Sequence, residues 1–207
     1  LEVVADPGAI AGTEAALKPG DILVERVEQA RLFSERSAAL GDPRDCENSF
    51  YAYAVPYYWV VPRERVETGA HLWIAETRRA PDEAINQRAK NFNRMDLTKA
   101  TFEALDHGAD AAVLLTMQGN LSEGAGFNIW IVRGKTLLTP GENLLEGITR
   151  RTVFDLAKEL GLEAKAANLG PEALLEAPEA FLSATAGGII PVTRVSDDSR
   201  RYPRRRS

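Results

Sequence analysis

Apolar and polar residues alternate in short blocks along this chain, and the blocks predict helices and strands in turn. Apolar residues recur at helical spacing in Asp21–Leu40, Asn91–His107 and Thr149–Leu160, with a short helix at 172–176. Apolar and β-branched runs predict strands at 50–61, 71–77, 111–115, 127–132, 136–138 and 180–185. Because helices and strands interleave over most of the length, the pattern predicts a mixed α/β protein.

Two of the predicted helices carry signals at their ends. In Asn91–His107 the apolar side chains fall near one face, and Gly108 is the stop; these side chains are Phe92, Met95, Phe102 and Leu105. Thr149 is a favoured N-cap residue for the helix through Leu160, which Gly161 ends. A polar linker at 62–65 marks the predicted boundary between residues 1–61 and residues 62–207.

Composition excludes several classes of function. The net charge of −5 and the pI near 5.2 argue against nucleic acid as a partner, since binding to phosphates needs a basic surface. No run of about 18 apolar residues occurs, so we expect no membrane-spanning helix and no membrane partner. A single cysteine, Cys46, excludes an internal disulfide and suits a cytoplasmic protein. His71 and His107 stand too far apart in sequence to suggest a metal site.

Lys90 is the first candidate for chemistry. It lies in Arg-Ala-Lys-Asn-Phe-Asn (88–93), where loop-like sequence meets a predicted helix, and its amine is expected to face a cleft. A lysine acts as a nucleophile only after losing its proton, which burial and cationic neighbours favour. Of the six lysines only Lys90 has such a context; the alternative is an ordinary surface lysine.

Glu123 is the second candidate, in Ser-Glu-Gly-Ala-Gly-Phe-Asn (122–128). The two glycines after it let the backbone lie close to a flat ring, and a buried carboxylate stabilises a pyridinium nitrogen. A lysine and an acid are the groups that a protein must supply to use pyridoxal 5′-phosphate. The alternative for Glu123 is a hairpin-turn glutamate that faces water.

Two later segments are candidate phosphate sites, Leu-Glu-Gly-Ile-Thr-Arg (145–150) and Ser-Ala-Thr-Ala-Gly-Gly (183–188). A loop that opens into a helix presents free N–H groups and the positive end of the helix dipole to an anion. The Thr149 hydroxyl either contacts phosphate or only caps the helix. Thr185 offers a second hydroxyl beside unhindered backbone N–H groups.

These four segments, in this order and at similar separations, resemble the class IV aminotransferases, the fold-type IV pyridoxal phosphate enzymes. The resemblance runs from about Pro43 to Val195 and includes the branched-chain and (R)-selective amine transaminases. It implies that Lys90 forms the Schiff base and moves protons, and that Glu123 pairs with the pyridinium. It also implies a phosphate site formed by Gly147, Ile148, Thr149 and Thr185. Leu145 would pack against the cofactor ring.

The resemblance further implies a homodimer that transfers an amino group from an amino acid or amine to a keto acid. Residues 62–207 would be the large cofactor-binding domain, shortened at its C-terminal end, and residues 1–61 a remnant of the family's small N-terminal α/β domain. Two alternatives remain open. One is a lyase similar to aminodeoxychorismate lyase, which needs no keto acid, and the other is a truncated, catalytically inactive remnant of the family.

Overall fold

The computed structural model describes residues 57–197, together with two short antiparallel strands before them, Phe33–Ser34 (β1) and Asn48–Ser49 (β2). The chain divides into two compact units, Leu1–Tyr57 and Tyr58–Ser207. The helix predicted in Asp21–Leu40 lies outside the described residues except at β1, where the backbone is a strand. The assignment of residues 1–61 to a remnant of a small domain stays a prediction.

Where the structure describes it, over residues 58–197, the second unit is built on one large sheet with four helices around it. Its strands are β3 (Ala70–Arg78), β4 (Ala111–Leu115), β5 (Leu121–Gly124), β6 (Phe127–Arg133), β7 (Thr136–Pro140), β8 (Glu163–Ala167), β9 (Glu179–Ala184) and β10 (Gly188–Ser196). Its helices are α1 (Arg65–Thr68), α2 (Met95–Asp106), α3 (Ile148–Glu159) and α4 (Pro171–Leu175). The described part of the chain therefore has the predicted mixed α/β composition.

The strands follow the order β5-β4-β3-β10-β9-β6-β7-β8, and β5 also pairs with β6. The strands from β5 round to β6 thus form a closed ring, which β7 and β8 extend on one side. The neighbours β3–β4, β3–β10 and β7–β8 are parallel, and the other pairs are antiparallel. Closure removes the free strand edges that would otherwise be exposed between β5 and β6.

Apolar side chains from the ring strands form the main core. Each of the six ring strands contributes a fully buried member: Leu72, Val113, Leu121, Ile129, Leu182 and Ile190. A second cluster lies beneath α3, where Trp130 packs against Val153 and Phe154. The Trp130 indole N–H donates to the Ser183 hydroxyl at 3.0 Å, which satisfies its one donor in the interior.

Helix α2 packs with a different face from the one that its large apolar residues mark. Leu97, Ala100 and Ala104 are buried against β3 and β4, beside Trp73. The larger residues Phe92, Met95, Phe102 and Leu105 are 50% to 79% exposed. The two small alanines let the helix lie close to the sheet, so the size of the apolar residues predicted the wrong buried face.

Most elements predicted within residues 62–197 are confirmed within a few residues, but three strands and the short helix α1 were missed there. The missed strands are β5, β8 and β10; β5 is short, β8 is half polar, and β10 contains Pro191. Of the strand predicted at 50–61, residues 50–56 lie outside the described residues. Residues 57–61, predicted to end that strand, are irregular. In the described part of the chain, no helix is long and apolar enough to cross a bilayer.

Candidate active site

Glu123 is buried in strand β5, between β4 and β6, with 5% of its surface exposed. Arg79, which follows β3 directly, donates from Nε and Nη2 to Glu123 Oε1 at 3.1 and 3.0 Å. The Leu145 N–H donates to the other oxygen, Oε2, at 3.0 Å. The water-facing hairpin glutamate that the sequence allowed is therefore wrong, because this carboxylate lies inside the protein with partners on both oxygens.

Burial controls the protonation of this carboxyl group. Loss of solvation raises the pKa of Glu123 to about 7, although the Arg79 charge and the hydrogen bond from Leu145 act to lower it. The existing partners thus offset only part of the cost of burying the negative charge. A further cation beside the carboxylate, such as a protonated ring nitrogen, would favour the ionised form.

The raised pKa predicts that Glu123 makes stability depend on pH. Below its ordinary value of 4.5 the group is protonated in both folded and unfolded protein, and its contribution is fully present. As the pH rises toward about 7, the unfolded chain ionises first and that contribution is lost. Between these limits the wild-type free energy of unfolding should fall by about 3 kcal/mol more than that of Glu123→Gln.

Urea denaturation of the cofactor-free protein from pH 4.5 to 8 measures this difference. Glu142→Gln is the matched control, because Glu142 is exposed and its removal should leave the wild-type slope intact. If the unfolding free energies of wild type and Glu123→Gln ran parallel across this range, the raised pKa would be wrong.

The segment 122–128 also fixes the loop that precedes α3. Besides the Glu123 contact, the Ser122 hydroxyl donates to the Asn143 carbonyl at 2.6 Å, and Asn128 Nδ2 donates to the Leu145 carbonyl at 3.0 Å. Asn143 has a φ of 52°, in the left-handed region that asparagine tolerates better than most residues. Two segments that looked like separate motifs are therefore one hydrogen-bonded unit.

Gly124 and Gly147 are needed for packing at this site. A Cβ on Gly147 would lie 2.6 Å from Oδ1 of Asn128, so a side chain there would push the loop away from β6. A Cβ on Gly124 would lie 2.4 Å from the Ala112 carbonyl oxygen, so this glycine permits contact between β5 and β4. The expectation that it makes room for a flat ring gains no support from this contact.

Helix α3 begins at Ile148, and Gly147, rather than Thr149, occupies the N-cap position. No side chain caps the helix, so its first N–H groups and its dipole are left to face an anion. Ile148 is 70% exposed and Thr149 is half-buried. Arg150 points to other partners: its Nη2 donates to the Pro140 carbonyl at 2.9 Å, which anchors the helix to β7.

Thr185 lies in the turn between β9 and β10 and is exposed. The strand register pairs Glu123 with Asn128 and Asn128 with Ser183, two residues before Thr185. The turn that carries Thr185 is thus at the same end of the sheet as the β5–β6 turn. Its role in binding phosphate stays a prediction.

Lys90 lies in the loop between β3 and α2, residues 79–94, which we call the Lys90 loop, and its side chain is exposed. Asn91 shapes the turn, because its Nδ2 donates to the carbonyls of Asn86 and Ala89 and its Oδ1 accepts from the Asn93 N–H. These bonds explain why an asparagine follows the lysine. The expectation that the amine faces a cleft stays a prediction.

Two contacts join the Lys90 loop to the loop before α3. The Asp82 N–H donates to Oδ1 of Asn143 at 3.2 Å, and Arg88 lies 3.8 Å from Glu146 in an exposed ion pair. Sequence reasoning missed Arg79 and Asn143. A pair of arginines at the end of an apolar strand was a usable signal for Arg79, whereas nothing in the sequence marked Asn143.

The residues present fit pyridoxal 5′-phosphate by their donor set. A buried carboxylate whose burial is only partly compensated suits a cationic ring nitrogen, and the uncapped start of α3 suits a phosphate group. Both are attached to one loop, so a single ligand with a cation at one end and an anion at the other matches them. Among residues 57–197, no group of three His, Cys, Asp or Glu side chains is arranged to hold a metal ion.

Comparison with known proteins identifies the family of this chain. Residues 21–195 match the family model described as amino-transferase class IV. The branched-chain-amino-acid aminotransferase of Escherichia coli K12 is 36% identical over 145 residues, which are 69% of this chain and 47% of that protein. The chain spans about half the length of the curated relatives it matches.

Solved structures with a similar fold belong to branched-chain aminotransferases as well. The branched-chain aminotransferase of Thermoproteus uzoniensis, crystallised with norvaline, is 30% identical with a TM-score of 0.73, over 80% of this chain and 55% of that one. The enzyme of Thermobaculum terrenum in its PLP form is 33% identical with a TM-score of 0.59, over 61% and 42%. Sequence and fold together establish that this chain belongs to the class IV aminotransferase family.

Proposed function

We propose that this chain forms the cofactor-binding part of a pyridoxal-phosphate-dependent aminotransferase that acts on branched-chain amino acids and keto acids. The observation that carries the proposal is the buried Glu123 carboxylate, bonded to the backbone of the loop that opens α3. The names of the relatives support the substrate class, and class IV aminotransferases depend on pyridoxal phosphate.

Each candidate residue then has a defined task. Pyridoxal phosphate, when bound, supplies a ring that accepts electrons. Glu123 holds the proton on the ring nitrogen, and Leu145 packs against the ring while its N–H orients the carboxylate. Lys90 would hold the cofactor through Nζ, and its amine would serve as the group that accepts a proton from the donor carbon.

The phosphate group is assigned to the start of α3 and to the Thr185 turn. Support comes from the uncapped first turn, where Gly147 leaves the backbone N–H groups of Ile148 and Thr149 accessible to an anion. The Thr149 and Thr185 hydroxyls add two hydrogen-bond donors. A homodimer and a cytoplasmic location remain expectations from the family resemblance and from the single Cys46.

An amino-transfer assay tests the proposal. The purified 207-residue chain is incubated with pyridoxal phosphate, ¹⁵N-labelled L-leucine and 2-oxoglutarate, and labelled glutamate is expected as the product. Omission of 2-oxoglutarate should abolish turnover, because the amino group then has no acceptor.

Three other outcomes would contradict the proposal in different ways. Failure to bind pyridoxal phosphate would reject the cofactor assignment. Pyruvate released from an aminodeoxychorismate-type substrate without a keto acid would favour the lyase. Cofactor binding without either reaction would favour the inactive remnant.

A further inference from the structure

Arg79 has no task in the proposed mechanism, yet it occupies the centre of a buried polar cluster. Its side chain is 5% exposed, and its backbone N–H donates to the Leu115 carbonyl at 2.9 Å, which fixes it to the end of β4. Its guanidinium contacts three side chains from different parts of the chain: Glu123, Asp96 and Gln87. A planar group with five donors is suited to joining several acceptors in fixed directions.

Two of these contacts flank the lysine in sequence, one within the Lys90 loop at Gln87 and one in the first turn of α2 at Asp96. Arg79 Nη2 donates to Oε1 of Gln87, three residues before Lys90, and Nη1 donates to Oδ2 of Asp96 at 2.6 Å, six residues after it. Gln87 in turn donates from Nε2 to the Ala80 carbonyl at 2.9 Å. The loop is therefore closed upon Arg79 rather than attached at one point.

The third contact reaches the carboxylate on the opposite side of the guanidinium. The bonds to Glu123 leave from Nε and Nη2, while the bond to Asp96 leaves from Nη1. One rigid group thus spans from the strand that carries the acid to the loop that carries the amine. Removal of either carboxylate would leave the buried arginine partly unpaired.

We propose that Arg79 is a positioning residue that couples the Lys90 loop to Glu123. It thereby fixes the position of the Lys90 amine relative to the Glu123 carboxylate. This inference rests on the proposed function, in which both groups serve one cofactor. Arg79 itself is given no contact with substrate or cofactor.

Charge gives Arg79 a second effect on the same carboxylate. The pKa of Glu123 is raised by burial and lowered by Arg79, so loss of the guanidinium would raise it further. Two other arginines act on this carboxylate, Arg94 before α2 and Arg150 in α3, and both remain when Arg79 is replaced. Asp96 keeps its bonds from the Ala80 and Leu97 N–H groups.

Amide hydrogen exchange of the cofactor-free, full-length chain tests the mechanical coupling. In Arg79→Gln, amides of residues 82–90 should exchange roughly tenfold faster, because the contacts that close the loop are lost. Arg78→Gln is the matched control, since Arg78 is the exposed neighbour at the end of the same strand. Gln87→Ala removes one contact and spares both ion pairs, so it tests the coupling even if Arg79→Gln fails to fold.

The pH dependence of pyridoxal phosphate binding separates positioning from a merely structural role. In Arg79→Gln, the pH below which the dissociation constant rises should move upward by roughly 1 to 3 units, since Glu123 protonates more readily. Arg79→Lys should return the profile toward wild type because it restores the charge. Gln87→Ala should keep the wild-type profile.

Hydrogen exchange tests whether Arg79 couples the two segments, and pyridoxal phosphate binding also tests the proposed function. If Arg79→Gln matched Arg78→Gln in binding profile, or if loop exchange were unchanged in both Arg79→Gln and Gln87→Ala, the coupling role would be overturned. If wild type bound no pyridoxal phosphate at any pH, the proposed function would fail. Exchange of the cofactor-free loop would still decide whether Arg79 couples the two segments.

Discussion

Replacement of Lys90 by alanine is expected to abolish covalent attachment of pyridoxal phosphate and to lower amino transfer by about 10⁴-fold or more. The proposed mechanism uses this single amine twice, first as the group that bonds the cofactor and then as the carrier of a proton. Among residues 57–197, Lys90 is the only lysine carried by the loop that is hydrogen-bonded, through Asp82, to the loop before α3. The loss should therefore be far larger than the effect of removing an ordinary surface charge.

Borohydride reduction of the wild-type protein with bound cofactor, followed by peptide mass spectrometry, should locate a pyridoxyl group on Lys90. In Lys90→Ala that adduct and the visible absorbance band should both be missing. Lys99→Ala is the control, because Lys99 is an exposed lysine on α2. An adduct on another lysine, or an unchanged visible band in Lys90→Ala, would refute the assignment.

Replacement of Glu123 by glutamine is expected to leave cofactor binding measurable while turnover falls by roughly 10²–10³-fold. Glutamine has nearly the same shape but no negative charge, so it cannot keep a proton on the ring nitrogen. Its amide also meets Arg79 and the Leu145 N–H, both of which are donors, so at least one contact is weakened. Phosphate binding at the start of α3 should be largely retained.

Turnover at saturating pyridoxal phosphate and saturating substrates measures this effect, with Glu142→Gln as the control. A variant with wild-type turnover would show that Glu123 is a structural ion-pair residue only. Comparison with Arg79→Gln adds a further check, since a positioning residue should cost less turnover than the residue it positions.

The sequence predicted which residues belong to this site, but it did not predict their burial or their hydrogen-bond partners. Glu123 was placed beside two glycines, but its burial in a strand was not predicted, because Leu121–Gly124 is too short to show an alternating pattern. Arg79 and Glu123 are 44 positions apart, and no local spacing connects them. Long-range polar contacts of this kind leave no periodic trace in a single sequence.

The fold was predicted where apolar periodicity and turn residues agreed. Strand β4 is a continuous apolar run, β6 and β9 are largely apolar, and α3 ends shortly before Gly161. Closure of the ring could not be predicted, because it depends on the pairing of β5 with β6 and on β10, whose sequence lacks a strand pattern. The face on which α2 packs was also set by small alanines rather than by the largest apolar residues.

The hydrogen bonds from the β5–β6 hairpin to the loop before α3 affect which amino-acid substitutions that loop can accept. Ser122, Glu123 and Asn128 hold the loop through bonds that involve only its backbone atoms, at the Asn143 carbonyl and at the Leu145 N–H and carbonyl. These bonds do not involve the side chains at positions 145 and 146, so a change at either position leaves them intact, whereas Asn143 and Gly147 are constrained by backbone conformation and packing. The position of the start of α3 relative to Glu123 is therefore set by hydrogen bonds to the main chain of this loop.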